Sequence, residues 1–492
     1  MARNYNGIGL CTAVLTALLL TNAQGADGLN MSAGEMAAAT RAGDIKSSDL
    51  IEAAIARADK HKNLSAFITL GAGSARKAAM DADTADGKTA GPLHGVPIVV
   101  KDNINSKDMP TSGGTPALKG FQPAADAPVL ARLRAAGAIL IGKTNLHELA
   151  FGITSNNATF GAVGNAYDLM RFAGGSSGGT AAAIAAGIVP AGLGTDTGGS
   201  VRIPAALNGL HGFRPTIGRY PQSGIIPIST TRDTAGPIAR VVEDLVLLDG
   251  VITGTATALK PVPAGGLRFG MPKSFNTGID PETARLMADA VAKLKAAGVE
   301  VIEVDLPGLM ELNGKAGFPI ALYEVKIALA KFLMDYKTGM SMQDIADKVA
   351  SPDVKFVFDN LVLGDKAIPA HVYQMAMAQV RPQLQGMYAS HFAEHRLDAI
   401  LFPTTPLPAQ PIKGSDQTVM LNGKKVPTFP TYIRNTDPGS VAGIPGLTLP
   451  IGLTKDGLPV GLEIDGPAHT DRRLLAIGLT LQGVFGKLPA PK

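Results

Sequence analysis

Tryptophan is absent from the 492-residue chain, and cysteine occurs once, at Cys11. A single thiol excludes a disulfide framework and any cysteine-ligated metal cluster. Basic residues never run longer than a pair, and aromatic residues make up 5%. With neither a phosphate-neutralising stripe nor a stacking platform, nucleic acid is excluded as an expected partner. Charged residues reach 17% and the net charge is +4, too little on this length to steer any partner. What is present is ordinary globular material, 46% hydrophobic and rich in glycine, with 58 residues of it. The length allows two or three domains, or one large α/β enzyme domain.

The first 25 residues differ from the rest. Arg3 supplies a basic start, Leu10 to Leu20 is uncharged and mostly apolar, and Ala23-Gln24-Gly25 offers a small-residue cleavage site. The run is too short to span a bilayer. These features predict a signal peptide over 1–25 and an exported, periplasmic or secreted mature chain, with no membrane span, beginning at Ala26; the alternative is a buried N-terminal helix or strand. Cleavage would remove Cys11 as well. Next, Ser32 and Glu35 have capping-box spacing, and Leu50, Ile51, Ala54 and Ile55 mark one face of a helix over Asp49 to Ala58. Leu64 to Leu70 reads as β.

In GPLHGVPIVVKDNI, the β-rich run Val96 to Val100 delivers Lys101 at a strand end. Such a lysine is either a solvated terminus or, if buried, a base of lowered pKa. Asp126 to Ala136 suits an amphipathic helix. Downstream, GAILIGKT (Gly137 to Thr144) matches the P-loop pattern letter for letter. In a phosphate cradle the intervening residues form a turn, whereas Ala138 to Ile141 are themselves strand-like, so the match is a decoy. Lys143 is expected to end that strand, and Asn145 to cap the next helix.

Two glycine-lined serine sites follow. GGSSGG (Gly174 to Gly179) satisfies GxSxG in two registers, and GTDTGGS ends at Ser200, 24 residues beyond Ser176. A nucleophile elbow of an α/β-hydrolase needs a strand leading into the serine and a downstream acid and histidine. Asp168 to Ala173 does not read as a strand. None of His211, His371, His391, His395 and His469 sits in a setting that marks a base, and His391 and His395 read as a solvated helix face. The other reading is that both glycine turns aim N–H groups into one space, so that the amides of Thr197, Gly198 and Gly199 surround an oxyanion while Ser200 supplies the attacking oxygen.

GVPIVVKDNI, GGSSGGTAAAIAAG and GLGTDTGGSVRIPAALNGLHGFRPT, in this order and spacing, resemble the amidase signature family. The likeness runs from about Ser32 to Leu481. It implies an α/β fold with a large twisted mixed sheet surrounded by helices, and amide C–N hydrolysis without cofactor or metal. It also implies a Ser-cisSer-Lys triad: Ser200 as nucleophile, Ser176 after a cis bond as the bridge, and Lys101 as the neutral base. Thr197, Gly198 and Gly199 would form the oxyanion hole, and Ser177 would support the site by hydrogen-bonding Lys101 or the loop. Asp196 and Arg202 would brace it as a structural pair. Two departures from the family pattern, Ala166 after Asn165 and Ala173 before GGSS, replace prolines and put loop rigidity in question.

RDTAGPIAR (Arg232 to Arg240) and Leu322-Tyr323-Glu324 lean toward the mandelamide and indoleacetamide hydrolase branch of that family. The expected substrate is a small primary amide of an aryl or arylalkyl acid. Alternatives are an exported peptide or acylamide amidase with the same triad, a Ser-His-Asp hydrolase, and a noncatalytic binder of the same fold. The related transamidase subunit conflicts with an export signal. No linker or repeat divides the chain, which predicts one domain over 26–492: a catalytic core (65–260), a variable helical insertion over the site (267–398) and a return to the core (399–492). In the insertion, Phe318 and Tyr323 are the candidate pocket wall, with Phe332, Phe356 and Phe358 as further candidates; core packing is the alternative for each. A homodimer is compatible with these features.

Overall fold

A computed structural model describes Gly25 and residues 27–491. The expected signal peptide therefore lies outside the described residues, apart from Gly25. Eleven strands form one mixed sheet: β1 (Phe67–Leu70), β2 (Pro97–Lys101), β3 (Ile139–Thr144), β4 (Ala191–Asp196), β5 (His211–Arg214), β6 (Thr234–Ala239), β7 (Arg268–Met271), β8 (Glu300–Glu303), β9 (Ala399–Pro403), β10 (Gly446–Leu453) and β11 (Pro459–Asp465). Their spatial order is β1-β3-β2-β4-β6-β5-β10-β11-β9-β7-β8. Strands β3, β2 and β4 run parallel, as do β9, β7 and β8, and antiparallel pairs join the two groups.

Central strands are buried along their whole length, so they read as continuous apolar runs instead of alternating ones. Helices close both faces. One of them, Ala33–Ala42, starts at Ser32 with the expected capping box, in which Ser32 and Glu35 satisfy each other's backbone N–H groups. Another, Ser47–Lys60, buries Leu50, Ile51 and Ala54 against the sheet. The core helix after the serine loop, α1 (Gly178–Ala185), is buried all round except at its last residue, which suits its Ala-rich sequence.

Four expectations need correction. Asp168–Phe172 is a strand after all, but it pairs with Gly164–Asn165 in a separate two-stranded ribbon, so no strand of the main sheet runs into the serines. Asn145 caps no helix: its carbonyl accepts from Leu146 N–H and its amide donates to Ser65 O and Gly161 O, pinning a loop. His391 is buried, not part of a solvated face. The helical insertion is shorter than 267–398, because β7 and β8 belong to the main sheet. Its helical mass lies between α2 (Leu309–Asp335) and the helix Arg381–His395, with the short α3 (Pro352–Val357) between them. Strands β7 and β8 are four residues each and flank the helix Pro281–Ala296, too short for their sequences alone to distinguish strand from loop.

The two lost prolines are replaced by hydrogen bonds that proline could not make. Ala166 N–H donates to Asn208 Oδ1 (3.2 Å), and Ala173 N–H donates to Val163 O (3.0 Å). Among the described residues no helix is long and apolar enough to cross a membrane, and no group of three or more acidic, histidine or cysteine side chains is arranged to hold a metal.

Candidate active site

Strand β2 ends inside the protein, not in solvent. Parallel pairing with β3 and β4 on either side carries Lys101 into the protein interior, where its side chain is wholly buried. Lys101 Nζ donates to Ser176 Oγ at 2.7 Å and to Thr195 Oγ1 at 2.8 Å. Burial pushes its pKa down to about 7, although the Asp196 and Asp233 carboxylates pull the other way. An amine with that pKa is substantially unprotonated at neutral pH, so it can accept a proton from the hydroxyl beside it.

Ser176 follows a cis peptide bond from Gly175. The loop holding it is fastened from several sides: His147 N–H donates to Ser176 O (3.2 Å), Ser155 Oγ donates to Gly174 O (2.8 Å), and Ser177 N–H donates to Ser200 O (3.2 Å). That last bond joins the two serine turns directly. Ser177 does not reach Lys101. Its hydroxyl lies against Thr195, donating to the carbonyl and accepting from the amide, both at 3.3 Å. A Cβ at position 194 would sit 2.6 Å from Ser177 Oγ, which is why β4 carries glycine there.

Alternation along β4 sends Thr195 toward Lys101 and Asp196 to the opposite side. Asp196 accepts from Arg202 Nε (3.1 Å) and Nη2 (3.0 Å), and from Arg214 Nη1 (2.9 Å). Burial opposes its ionisation, but the two guanidiniums outweigh that and hold its carboxyl below the ordinary carboxylate range. Arg202 also pairs with Glu463 on β11. Truncating one member of this fully buried network would strand the others, a loss on the order of 3–5 kcal/mol.

Asp196 accepts as well from Gly199 N–H at 2.8 Å. Gly199's amide is thus already engaged, contrary to the expectation that it faces an oxyanion. Thr197 and Gly198 do line the cavity beside Ser200. Thr197 is held by its hydroxyl, which donates to Asp233 (2.6 Å), and by its carbonyl, which accepts from Arg232 (3.1 Å).

The cavity above Ser200 has a volume of about 180 Å³. Its apolar wall comes from Phe151, Ile153, Phe318, Leu322, Phe429 and Ile433. Phe318 is where the sequence placed it, on α2. Tyr323 is not: it points away and stacks on Tyr373 with ring centroids 4.2 Å apart. Phe332 and Phe358 are core residues that pack on Phe121 and Phe151, and Phe356 is exposed. Thr195, Phe151, Phe429 and Ile433 were missed. Thr195 had a signal, since it lies in the same motif as Asp196; the others are isolated apolar residues, Phe151 in one segment and Phe429 with Ile433 on a helix remote from it in sequence. No histidine ring among the described residues bonds to Ser176, Ser177 or Ser200, and the His147 ring turns instead to Asp353, Thr154 and Ser155.

The Amidase family's sequence model matches residues 49–475, and the chain belongs to that family, the amidase signature enzymes. It is an enzyme that hydrolyses amides. Among its relatives, the indoleacetamide hydrolase of Agrobacterium vitis is 46% identical over 440 residues, covering 89% of this chain and 94% of that one. The mandelamide hydrolase of Pseudomonas putida is 42% identical over 476 residues, covering 93% and 92%. Of solved structures, the native peptide amidase from Stenotrophomonas maltophilia superposes with a TM-score of 0.82 at 31% identity, covering 94% of this chain and 98% of that one.

Proposed function

We propose that the protein hydrolyses a small primary amide of an aryl or arylalkyl acid to the carboxylate and ammonia, through an acyl-enzyme on Ser200. Lys101 takes the Ser200 proton by way of Ser176 and returns it to the leaving amine, while the Thr197 and Gly198 amides receive the developing oxyanion. The observation carrying this reading is the buried 2.7 Å contact between Lys101 Nζ and Ser176 Oγ, on a loop bonded to Ser200's own backbone. Asp196, Arg202 and Ser177 hold that loop and do not touch the reacting atoms.

Cavity size supports the substrate class. An apolar cavity of about 150 Å³ accommodates benzene, so about 180 Å³ suits one aromatic group better than a peptide. The relatives named for indoleacetamide and mandelamide point the same way. The N-terminal pattern of Arg3, Leu10 to Leu20 and Ala23-Gln24-Gly25 supports export, which a mature chain starting at Ala26 in the exported fraction would bear out.

The test is an ammonia-release screen over aromatic, aliphatic and peptide C-terminal amides, run with the wild type, Ser200→Ala and Lys101→Ala. Aryl amides should be the best substrates, and each variant should lose at least about a thousandfold in kcat. Wild-type turnover by either variant would refute the triad, and a preference for peptide amides would refute the substrate class.

A further inference from the structure

The polar lining of the substrate cavity is lopsided. Among the described residues its single cationic side chain is Arg232, whose guanidinium is taken up by Asp437, Gly317 O and Thr197 O. That leaves Asp353 and Asp416 as carboxylates on the wall without a cation of their own inside it. Asp416 lies at the exposed mouth and accepts from Asn156 Nδ2. Asp353 is set deeper and is held in a fixed orientation.

His147 supplies that orientation. Its ring is 1% exposed, and the Ser155 backbone N–H points at Nδ1 from 3.2 Å. A backbone N–H can only donate, so Nδ1 accepts and the ring hydrogen sits on Nε2, which donates to Asp353 Oδ2 at 2.9 Å. The ring lies so close against Gly152 that any Cβ there would come within 2.2 Å of it. Asp353 Oδ1 accepts from Val354 N–H at 3.0 Å. Burial works against ionisation of Asp353, but His147 and these bonds prevail and hold the carboxyl below its ordinary range. One bond to each oxygen leaves acceptor capacity on both. The result is an oriented carboxylate in the wall of a largely apolar cavity, with 26% of its side chain open.

We propose that Asp353 is a specificity-determining residue: it accepts a hydrogen bond from an N–H, O–H or ammonium group on the acyl portion of the amide, and His147 is its positioning residue. The proposal rests on the reading above in taking this cavity as the substrate pocket. A site built to bond a donor rejects an isostere that lacks one far more strongly than an apolar wall discriminates by size. With an ionised acceptor, the preference for a donor-bearing amide over its matched non-donor should be about tenfold or more. Acyl groups carrying a carboxylate should be excluded, since no free cation faces them.

The experiment measures binding by titration calorimetry in the Ser200→Ala background, with two matched pairs. One pair is an indolyl acetamide and its benzofuran counterpart, which replaces the ring N–H by oxygen. The other is phenylacetamide with and without an α-hydroxyl. At least one pair should show the tenfold preference; Asp353→Ala should bring it to about one, and Asp353→Asn, an acceptor without charge, should give an intermediate value. Ratios near one for both pairs in the Ser200→Ala protein overturn the assignment with no further substitution needed. A preference that survives unchanged in Asp353→Ala or Asp353→Asn overturns it too. Turnover by Ser200→Ala would instead sink the triad and leave the binding ratios to be judged by themselves.

Discussion

Replacing Lys101 by methionine should abolish turnover and yet stabilise the fold, by an amount that depends on pH in a defined direction. The lysine titrates at 10.5 when solvated and at about 7 in its buried site. Between those values the unfolded chain binds more protons than the native one, so native stability rises with pH through this window. Below about pH 7 the full penalty for burying the group is present, and above about 10.5 it has gone. The difference of about 3.5 units corresponds to roughly 5 kcal/mol, of which about 4 remains at pH 7 and about 1.4 at pH 9.5. Methionine fills the same space without charge, but leaves the Ser176 and Thr195 hydroxyls short of a partner, at about 1–2 kcal/mol each. Net stabilisation at pH 7 is therefore about 0–2 kcal/mol. The sharper number is the change in that difference between pH 7 and pH 9.5, about 3 kcal/mol, because the loss of hydrogen bonds largely cancels from it. Urea titrations of both proteins at the two pH values measure it. A mutant-to-wild-type difference that does not fall as pH rises would refute the depressed pKa, and with it the argument that Lys101 is a base near neutral pH.

The same group should shape the kinetics. For an aryl amide, kcat/KM should fall about tenfold per pH unit below a midpoint near 7. Asp233→Asn removes a charge that favours protonated Lys101, so the midpoint should move to lower pH; a midpoint near 10, or one that rises in Asp233→Asn, contradicts the assignment. Ala173→Pro tests the ribbon that replaces the missing proline. Loss of the buried N–H to Val163 O should cost about 1–3 kcal/mol in denaturant titration, and an unchanged midpoint would show that the bond is dispensable.

Much of this site was legible in the chain because glycine and buried charge are rare in combination. A strand reading Val96 to Val100 that ends in lysine, and two serines within glycine turns, carry their meaning locally: the glycines mark where other atoms must come close, as at Gly194 against Ser177. Helix starts such as Ser32 with Glu35 were equally local, since a capping box is completed within four residues. The P-loop decoy was rejected on local grounds as well, because Ile139 to Thr144 cannot be strand and phosphate turn together.

Other features depend on partners that are remote in sequence. The ribbon Asp168–Phe172 is stabilised by Gly164–Asn165 and by Gln410 O; its own sequence leaves Leu169 and Met170 adjacent and exposed and so gave no periodic signal. His391 lies on a helix whose surroundings come from β7 and Leu397, which turned an apparently polar face inward. Whether Phe318 or Tyr323 reached the cavity was decided by the rotation of α2: consecutive positions on a helix are about 100° apart, and stacking with Tyr373 turned Tyr323 away. Gly199's amide was claimed by Asp196 only once Arg202 and Arg214 had fixed that carboxylate.

By itself, the sequence determined the chemistry available here: a lysine at a strand end, two serines in backbone-rich turns, and the spacing that marks the family. The tertiary structure decided what no spacing encodes. It buried Lys101 from every side and so brought its pKa near neutrality, and it set Asp353 from the helical insertion against His147 from the core, 206 residues apart in the chain. The physical reason is the same in both cases: desolvation and hydrogen-bond geometry belong to the surroundings of a side chain, and those surroundings exist only when distant segments have packed together.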